Sequence, residues 1–223
     1  MKKRWFLPLL FTLSGCNGWV SPETNAGLND RYFTVFSGPP LPGMIVASAV
    51  QWNADYAVTA AHTPFLLNKA YRCSTGCDLL FIAHKAEGAL PQWRDFRSGE
   101  TVTALGSSSL LIPMSATGHV WPVPFVDDRS ASGERYGVHD AAIAKGMSGG
   151  PLLASDGAVL GINIGYQAGF TPPTSRPELA GMARLSVFVP YRVIQREWLL
   201  FQAQGQHKEA QVIAGENLQA KNQ

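Results

Sequence analysis

The sequence predicts an all-β fold of barrel or sandwich type, followed by one helix. Two observations carry this prediction. Short apolar runs rich in β-branched residues recur along the middle of the chain, and Gly, Pro, Asn and Asp separate them. The composition is 46% hydrophobic and 15% charged, with 22 Gly and 15 Pro in 223 residues, which is typical of a folded chain with many turns. This length forms one substantial core, or two small barrels that share an interface.

The predicted strands follow one another between residues 32 and 190. The runs lie at 32–36, 43–52, 56–62, 78–84, 101–106, 118–123, 157–165 and 185–190. One amphipathic helix is predicted over 191–204, because apolar residues recur there near helical spacing. These residues are Val193, Ile194, Trp198 and Leu199. The remaining residues, 203–223, are polar, and we predict a loosely ordered tail there.

The first fifteen residues pair a basic start with a short apolar stretch, which predicts an export signal. That stretch is too short to cross a bilayer as a helix. The segment Leu13-Ser14-Gly15-Cys16 is similar to the lipobox of bacterial lipoproteins, in which the signal is removed before a lipid-bearing Cys. An ordinary secretory signal with an incidental Cys is the alternative.

Asn17 follows Cys16, in place of the Asp that often retains lipoproteins in the inner membrane. The lipoprotein resemblance therefore implies an anchor in the outer membrane, facing the periplasm, with Cys16 as the contact to the bilayer. Residues 16–31 are polar and contain Gly and Pro, so we predict a tether between this anchor and the folded domain.

The charge of the chain argues against nucleic acid as a partner. The formal net charge is +2, but the first fifteen residues hold three basic and no acidic residues, so the remainder carries −1. Nucleic-acid binding requires a basic surface to neutralise phosphates, and no basic patch is evident in the sequence.

Cys73 and Cys77 form a possible pair in an exported protein, since Cys16 is assigned to the lipid. A disulfide is the favoured interpretation, because the three residues between them include a Gly and could form a short closed loop. Free thiols and a metal site are the alternatives. A metal site is weakly supported, because two Cys need two further His or Cys ligands at metal spacing and His84 alone does not supply them. We predict no metal and no cofactor.

The segment Gly-Met-Ser-Gly-Gly-Pro places Ser148 among glycines. Glycines allow a sharp turn in which N–H groups converge near the hydroxyl, as a nucleophile requires. A bare Ser-Gly-Gly is more often a simple turn before a strand. Here Val-Thr-Ala-Ala-His, ending at His62, stands earlier in the chain and offers a general base.

The two segments together resemble the chymotrypsin-fold serine proteases, whose motifs are Thr-Ala-Ala-His and Gly-x-Ser-Gly-Gly-Pro. The stretch from Asp140 to Gly165, with Asp-Ala-Ala-Ile before the turn and Gly-Ile-Asn after it, is closest to the HtrA-type bacterial branch. The resemblance implies two six-stranded-type β-barrels, at about 32–96 and 99–190, within a protease domain over 32–202. The chain ends soon after the predicted helix, so we expect no PDZ domain.

The resemblance implies a catalytic triad in the order His, Asp, Ser. Asp78 is the expected orienting carboxylate because it begins an apolar strand, and Asp95 is the second candidate. The backbone N–H groups of Gly146 and Ser148 are the expected oxyanion hole.

The family pattern also implies the substrate contacts. Ala142 would lie at the base of the specificity pocket, which predicts cleavage after small or medium apolar residues. The strand residues Ile162, Asn163 and Ile164 would pair with the backbone of the substrate. Met147 departs from the family, because it stands where other members carry Asp or Asn and offers packing without charge. Activation by insertion of a free amino terminus is therefore excluded.

The sequence predicts an exported, lipid-anchored serine endopeptidase that acts on protein or peptide substrates of the cell envelope. The alternative is a protease-fold binding module with little or no turnover. Members of the family often form trimers, so a homo-oligomer is compatible with the resemblance, but no segment of this chain can be assigned to such a contact.

Overall fold

Two antiparallel sheets and one long helix make up the part of the chain that the computed structural model describes, namely residues 18–39, 44–127 and 133–220. Side chains within the last helix are described as far as Gln206. The predicted signal at 1–15 and Cys16 lie outside the described residues. No helix in the described ranges is long and apolar enough to span a membrane.

The first sheet contains five strands, in the order β2-β3-β4-β6-β5. Its strands are β2 (Phe33–Ser37), β3 (Ile45–Gln51), β4 (Tyr56–Thr59), β5 (Lys69–Arg72) and β6 (Leu80–Ala83). The turn between β3 and β4 forms because the side chain of Asn53 accepts hydrogen bonds from Asp55 N and Tyr56 N, both at 3.0 Å. Within the described ranges this sheet has five strands where the resemblance implied six, and the stretch between β4 and β6 contributes only the four-residue β5.

The second sheet closes into a six-stranded barrel. Its strands are β7 (Thr101–Ser107), β8 (Pro113–Asp127), β9 (Glu134–His139), β10 (Pro151–Ala154), β11 (Val159–Gln167) and β12 (Leu185–Pro190). They run in the order β8-β7-β10-β11-β12-β9, and β9 pairs back with β8. Closure leaves the six strands without a free edge between them. The all-β fold class with a terminal helix is confirmed.

Residues 18–31, within the predicted tether, contribute secondary structure to this domain. The short strand β1 (Ser21–Pro22) pairs with β8, and the short helix α1 (Ala26–Asn29) begins at Asn25, whose side chain accepts a hydrogen bond from Gly27 N. The segment therefore lies against the barrel along part of its length.

The predicted terminal helix is present as α2 (Tyr191–Ala220). It continues through most of the predicted polar tail, because the residues after Gly205 are mainly good helix formers such as Ala, Gln, Glu and Lys. Its first turns are buried against both sheets: Ile194 is fully buried, and Trp198 lies 5.4 Å from the ring of Phe81. The core cluster joins both sheets and the helix, and includes Val50, Val58, Phe81, Leu105, Ile162, Val189 and Ile194.

Candidate active site

His62 and Asp78 lie together at the ends of two neighbouring strands, β4 and β6. Asp78 Oδ2 lies 2.6 Å from His62 Nδ1, and Asp78 Oδ1 accepts a hydrogen bond of 2.8 Å from the backbone N–H of His62. A carboxylate can only accept, so Nδ1 carries the proton and Nε2 is left as a free base. The His62 side chain is 48% exposed, which leaves the base accessible to a substrate.

The pKa of His62 is raised above its usual value, chiefly by the hydrogen bond to Asp78. Partial burial of the ring opposes this, and the negative charge of Asp78 adds to it. The imidazolium that forms when His62 takes a proton is therefore stabilised at this position.

Asp78 is fixed from both sides of the crevice between the sheets. The preceding loop is closed by the disulfide between Cys73 and Cys77, which confirms the predicted pairing. The backbone N–H of Asp78 donates a 2.9 Å hydrogen bond to the hydroxyl of Tyr136, a buried residue of β9 in the second sheet. Asp95, the second candidate, lies elsewhere, next to Arg94, whose backbone pairs with Val159.

Ser148 is the second residue of the second of two consecutive tight turns that glycine makes possible. In the first, Met147 N donates to Ala144 O at 3.1 Å; in the second, Gly150 N donates to Met147 O at 2.9 Å. The third residue of each turn is a glycine with positive φ: 97° at Gly146 and 84° at Gly149. Other residues rarely adopt this conformation, so the glycines of the motif determine the shape of the loop.

The serine turn docks on the first sheet close to His62. Ser48 N in β3 donates a 2.8 Å hydrogen bond to Ser148 O. A Cβ on Gly149 would lie 2.0 Å from Ser48 O and 3.1 Å from Ala60 N, two residues before His62. Gly149 is therefore required for the close approach that brings Ser148 to the end of β4.

Two backbone N–H groups of this loop are available to bind an anion. Within the described part of the chain, the N–H groups of Gly146 and Ser148 donate no hydrogen bond, whereas those of Met147, Gly149 and Gly150 each have a carbonyl acceptor. Free N–H groups on the nucleophile and on the residue two positions before it match the arrangement that stabilises the oxyanion of acyl transfer.

Met147 occupies a fully buried position beneath the loop. Its sulfur accepts a 3.2 Å hydrogen bond from Ala144 N, and its backbone packs against Gly106, where an added Cβ would lie 2.7 Å from Met147 Cα. Met147 therefore supports the turn through packing and a weak hydrogen bond, and contributes no charge.

The expected substrate residues divide into one that lines the cleft and three that are buried. A cleft of about 530 Å³ opens beside His62 and Asp78, and Ile164 is among the residues that line it. Ala142, Ile162 and Asn163 are 2%, 0% and 0% exposed and do not line this cleft.

The side chain of Asn163 supports the serine turn from below. Its Nδ2 donates to Gly150 O at 3.1 Å and to Pro151 O at 3.0 Å, and its backbone O accepts from Gly149 N at 2.7 Å. Its Oδ1 lies 3.1 Å from Nε2 of the buried His139. These contacts, like the hydrogen bond between Asp78 N and the hydroxyl of Tyr136, depend on how the strands pair, which no local sequence motif predicts.

A larger cavity of about 700 Å³ lies away from this site, between residues 27–33 and 84–91, and includes none of His62, Asp78 and Ser148. Among the described residues, no three His, Cys, Asp or Glu side chains cluster in a way that could bind a metal ion.

The chain is similar to known proteases in sequence and in structure. No protein-family model matches it. Serine protease HTRA1 of Xenopus tropicalis is 36% identical over 100 residues, which cover 39% of this chain and 20% of that protein. The chain thus spans about a fifth of the length of that relative.

Solved structures match over most of the chain. The active form of the Rv3671c protease from M. tuberculosis covers 79% of this chain and 86% of its own, with a TM-score of 0.58 and 16% identity. A variant of the HtrA-type protease AlgW with a tripeptide covers 75% of this chain and 58% of its own, with a TM-score of 0.55 and 17% identity. The chain therefore has the chymotrypsin-like fold of the HtrA-type serine proteases.

Proposed function

We propose that this protein is a serine endopeptidase that hydrolyses proteins of the bacterial envelope through His62, Asp78 and Ser148. The observation that carries the proposal is the geometry of the site. A histidine is bound through Nδ1 to a carboxylate, and the serine turn, which presents two unused N–H groups, docks on the first sheet at Ala60, two residues before that histidine. The sequence similarity to a serine protease supports the same reaction.

The proposed reaction begins when Nε2 of His62 takes the proton of Ser148 Oγ, which attacks the carbonyl carbon of the peptide. The negative charge moves to the carbonyl oxygen and is stabilised by Gly146 N–H and Ser148 N–H. His62 then gives its proton to the leaving amine, and an acyl-enzyme remains. Water, deprotonated by the same histidine, releases the acid product and restores Ser148.

We propose that the enzyme prefers small or medium apolar residues before the scissile bond. Ala142 carries no charge, and the buried His139 beside Asn163 is neutral near pH 7, since burial lowers its pKa to about 4. Among the described residues that line the cleft, Asp78 is the one carboxylate and is already bound to His62, so a Lys or Arg side chain would find no free acidic partner there. Cleavage of a peptide library by the purified domain tests this: enrichment of apolar residues is expected, and a strict requirement for Lys or Arg would overturn it.

We also propose that the protein is exported and anchored by a lipid on Cys16, in the outer membrane facing the periplasm. The support is the basic and apolar start of the chain and the small residues before Cys16. Cys16→Ser should move the protein from the membrane fraction to the periplasmic fraction. Equal membrane association of both forms would contradict the anchor.

A fluorophosphonate probe tests the catalytic proposal, because it reacts only with an activated serine. We expect labelling of the wild type and none of Ser148→Ala or His62→Ala. Circular dichroism and the melting temperature check that both variants remain folded. A folded wild-type protein that stays unlabelled would support a binding module in place of an enzyme.

A further inference from the structure

A short, internally bonded loop lies against the candidate oxyanion hole. It connects β7 to β8, and Ser108 organises it: Leu111 N donates to Ser108 O at 2.9 Å, and Ser108 N donates to Ile112 O at 2.8 Å. The buried Ser108 Oγ also accepts from Leu110 N and Ile112 N, at 3.3 and 3.2 Å. These four hydrogen bonds within five residues hold the loop in one conformation.

The next residue of the loop, Ser109, binds the carbonyl of Lys145. Its backbone N donates at 3.0 Å and its Oγ at 3.2 Å, both to Lys145 O. The contact is close, because a Cβ on Gly146 would lie 2.5 Å from Ser107 O and 2.8 Å from Ser109 N. Ser109 thus touches the peptide unit that joins Lys145 to Gly146.

The geometry of that peptide unit connects Ser109 to the oxyanion hole. A trans peptide is planar, so its C=O and N–H point in opposite directions. With Lys145 O fixed on Ser109, Gly146 N–H points away from the loop and has no acceptor within the described residues. A rotated peptide would instead turn the Lys145 oxygen toward the hole, where it would repel the developing oxyanion.

We infer that Ser109 is a positioning residue that keeps the Lys145–Gly146 peptide in the orientation needed for transition-state stabilisation. The inference rests on the proposed peptidase function and deepens it. Met147 provides no charge to fix the loop, so two neutral hydrogen bonds from Ser109 perform this role. Ser109 itself does not touch the substrate.

Ser109→Pro removes both donors and places its ring Cδ between Ser109 N and Lys145 O, which lie 3.0 Å apart, so it should also displace the Lys145–Gly146 peptide. Ser109 is the second residue of the turn from Ser108 to Leu111, a position that favours proline. Because deletion of one oxyanion donor costs about 10²–10³-fold in kcat, loss of its support should lower kcat by at least about tenfold. KM should change little, since ground-state binding does not use the hole.

Two milder variants separate positioning from folding. Ser109→Ala keeps the backbone bond and should lower kcat by about threefold to tenfold, the worth of one neutral hydrogen bond. Ser109→Thr keeps both donors and should restore the wild-type rate. Leu110→Ala, at an exposed neighbouring position without a bond to Lys145, is the matched control.

The experiment measures fluorophosphonate labelling rates, kcat, KM and melting temperature for all four variants and the wild type. A wild-type rate for Ser109→Pro at an unchanged melting temperature would overturn the inference and leave the proposed function intact. If Ser109→Pro does not fold, equal rates for the Ala and Thr variants would overturn it. An unlabelled wild type would remove the proposed function and this inference with it.

Discussion

Both oxygens of one carboxylate fix His62 in the structure. Asp78 binds the backbone N–H and the ring of the same residue, so the position and the tautomer of the base are determined together. This arrangement makes Asp78 a positioning residue whose loss should affect catalysis far more than stability.

Asp78→Asn tests this role. An amide presents an NH₂ group or a weaker acceptor to Nδ1 and favours the wrong tautomer, so kcat should fall by about 10⁴-fold. The hydrogen bond that His62 donates to Asp78 is the main cause of the raised pKa of His62, and the base acts in its neutral form. In the wild type, kcat/KM should therefore rise with pH through a pKa above 6.5.

Residual activity of Asp78→Asn should show this acid limb at lower pH than the wild type, in a pH profile of kcat/KM. Asp95→Asn is the matched control, and we expect wild-type kinetics from it. If Asp95→Asn lost activity and Asp78→Asn kept it, Asp95 and not Asp78 would be the carboxylate that orients His62.

Single residues also differ in how well the sequence predicts them. His62 and Ser148 belong to local motifs, and Asp78 begins a recognisable apolar strand. Tyr136, Asn163 and Ser109 support the site through contacts between segments that are distant in sequence. Ser109 and Lys145, for example, are 36 residues apart. Such contacts follow from strand registers and turn positions, which no motif in a single sequence specifies.

At the scale of elements, α2 is connected to the loop that carries Asp78. Glu197 in α2 is fully buried, and its carboxylate accepts from Ser74 N at 2.7 Å, Tyr71 Oη at 3.1 Å and Arg196 Nη2 at 2.8 Å. Burial alone would raise the pKa of Glu197, but these hydrogen bonds lower it below its usual value. The ionised carboxylate therefore stabilises the folded state.

Glu197→Gln should lower the free energy of unfolding by about 2–3 kcal/mol at pH 7, since bonds from Ser74 and Arg196 lose their charged acceptor. The pKa of this carboxyl is lower in the folded than in the unfolded protein, so its contribution is present above pH 4.5 and is lost as pH falls further. Urea unfolding at pH 7 and pH 4 measures both effects.

Glu178→Gln is the control for this experiment, because Glu178 forms an exposed ion pair with Arg176. We expect little change in stability from that variant. Equal destabilisation by the two substitutions would show that Glu197 does not anchor α2 to the loop.

The elements themselves were predictable where apolar residues recur near helical spacing, as at the start of α2, or form short runs between turn residues, as in the strands at 45–51 and 185–190. The strand at 21–22 and the helix at 26–29 were not, because none of their residues is fully buried and they carry no apolar pattern. They form through pairing with the barrel and a local cap, which are tertiary and turn effects.

At the scale of the whole molecule, the site exists only where the two sheets meet. His62 and Asp78 belong to the first sheet, and Ser148 to the loop before β10 of the second. The bonds that cross the crevice include Ser48 to Ser148 and Asp78 to Tyr136. The resemblance implied this arrangement, but the five-stranded form of the first sheet could not be read from the residues, because the length of β5 depends on its pairing with β6.

Beneath the crevice, the buried His139 connects β9 to β11 and makes the stability of the whole fold depend on pH. Asn163 Nδ2 donates to two carbonyls, so its Oδ1 must accept, and His139 donates from Nε2–H. The ring is fully buried, and desolvation lowers its pKa from 6.5 to about 4, against the opposing effects of Asn163 and Asp140. Its neutral form is therefore the one that fits the folded protein.

The unfolded chain binds a proton on this histidine below about pH 6.5, while the folded protein does not until about pH 4. The free energy of unfolding should accordingly be greatest above pH 6.5 and decrease as pH falls, by roughly 2 kcal/mol between pH 7 and 5 from this group. His139→Gln keeps a donor for Asn163 and removes the titration. Urea unfolding of both proteins between pH 7.5 and 5 should show a steeper acid decrease in the wild type, because other groups titrate equally in the two. Parallel curves would mean that His139 is protonated in the folded protein or is not buried.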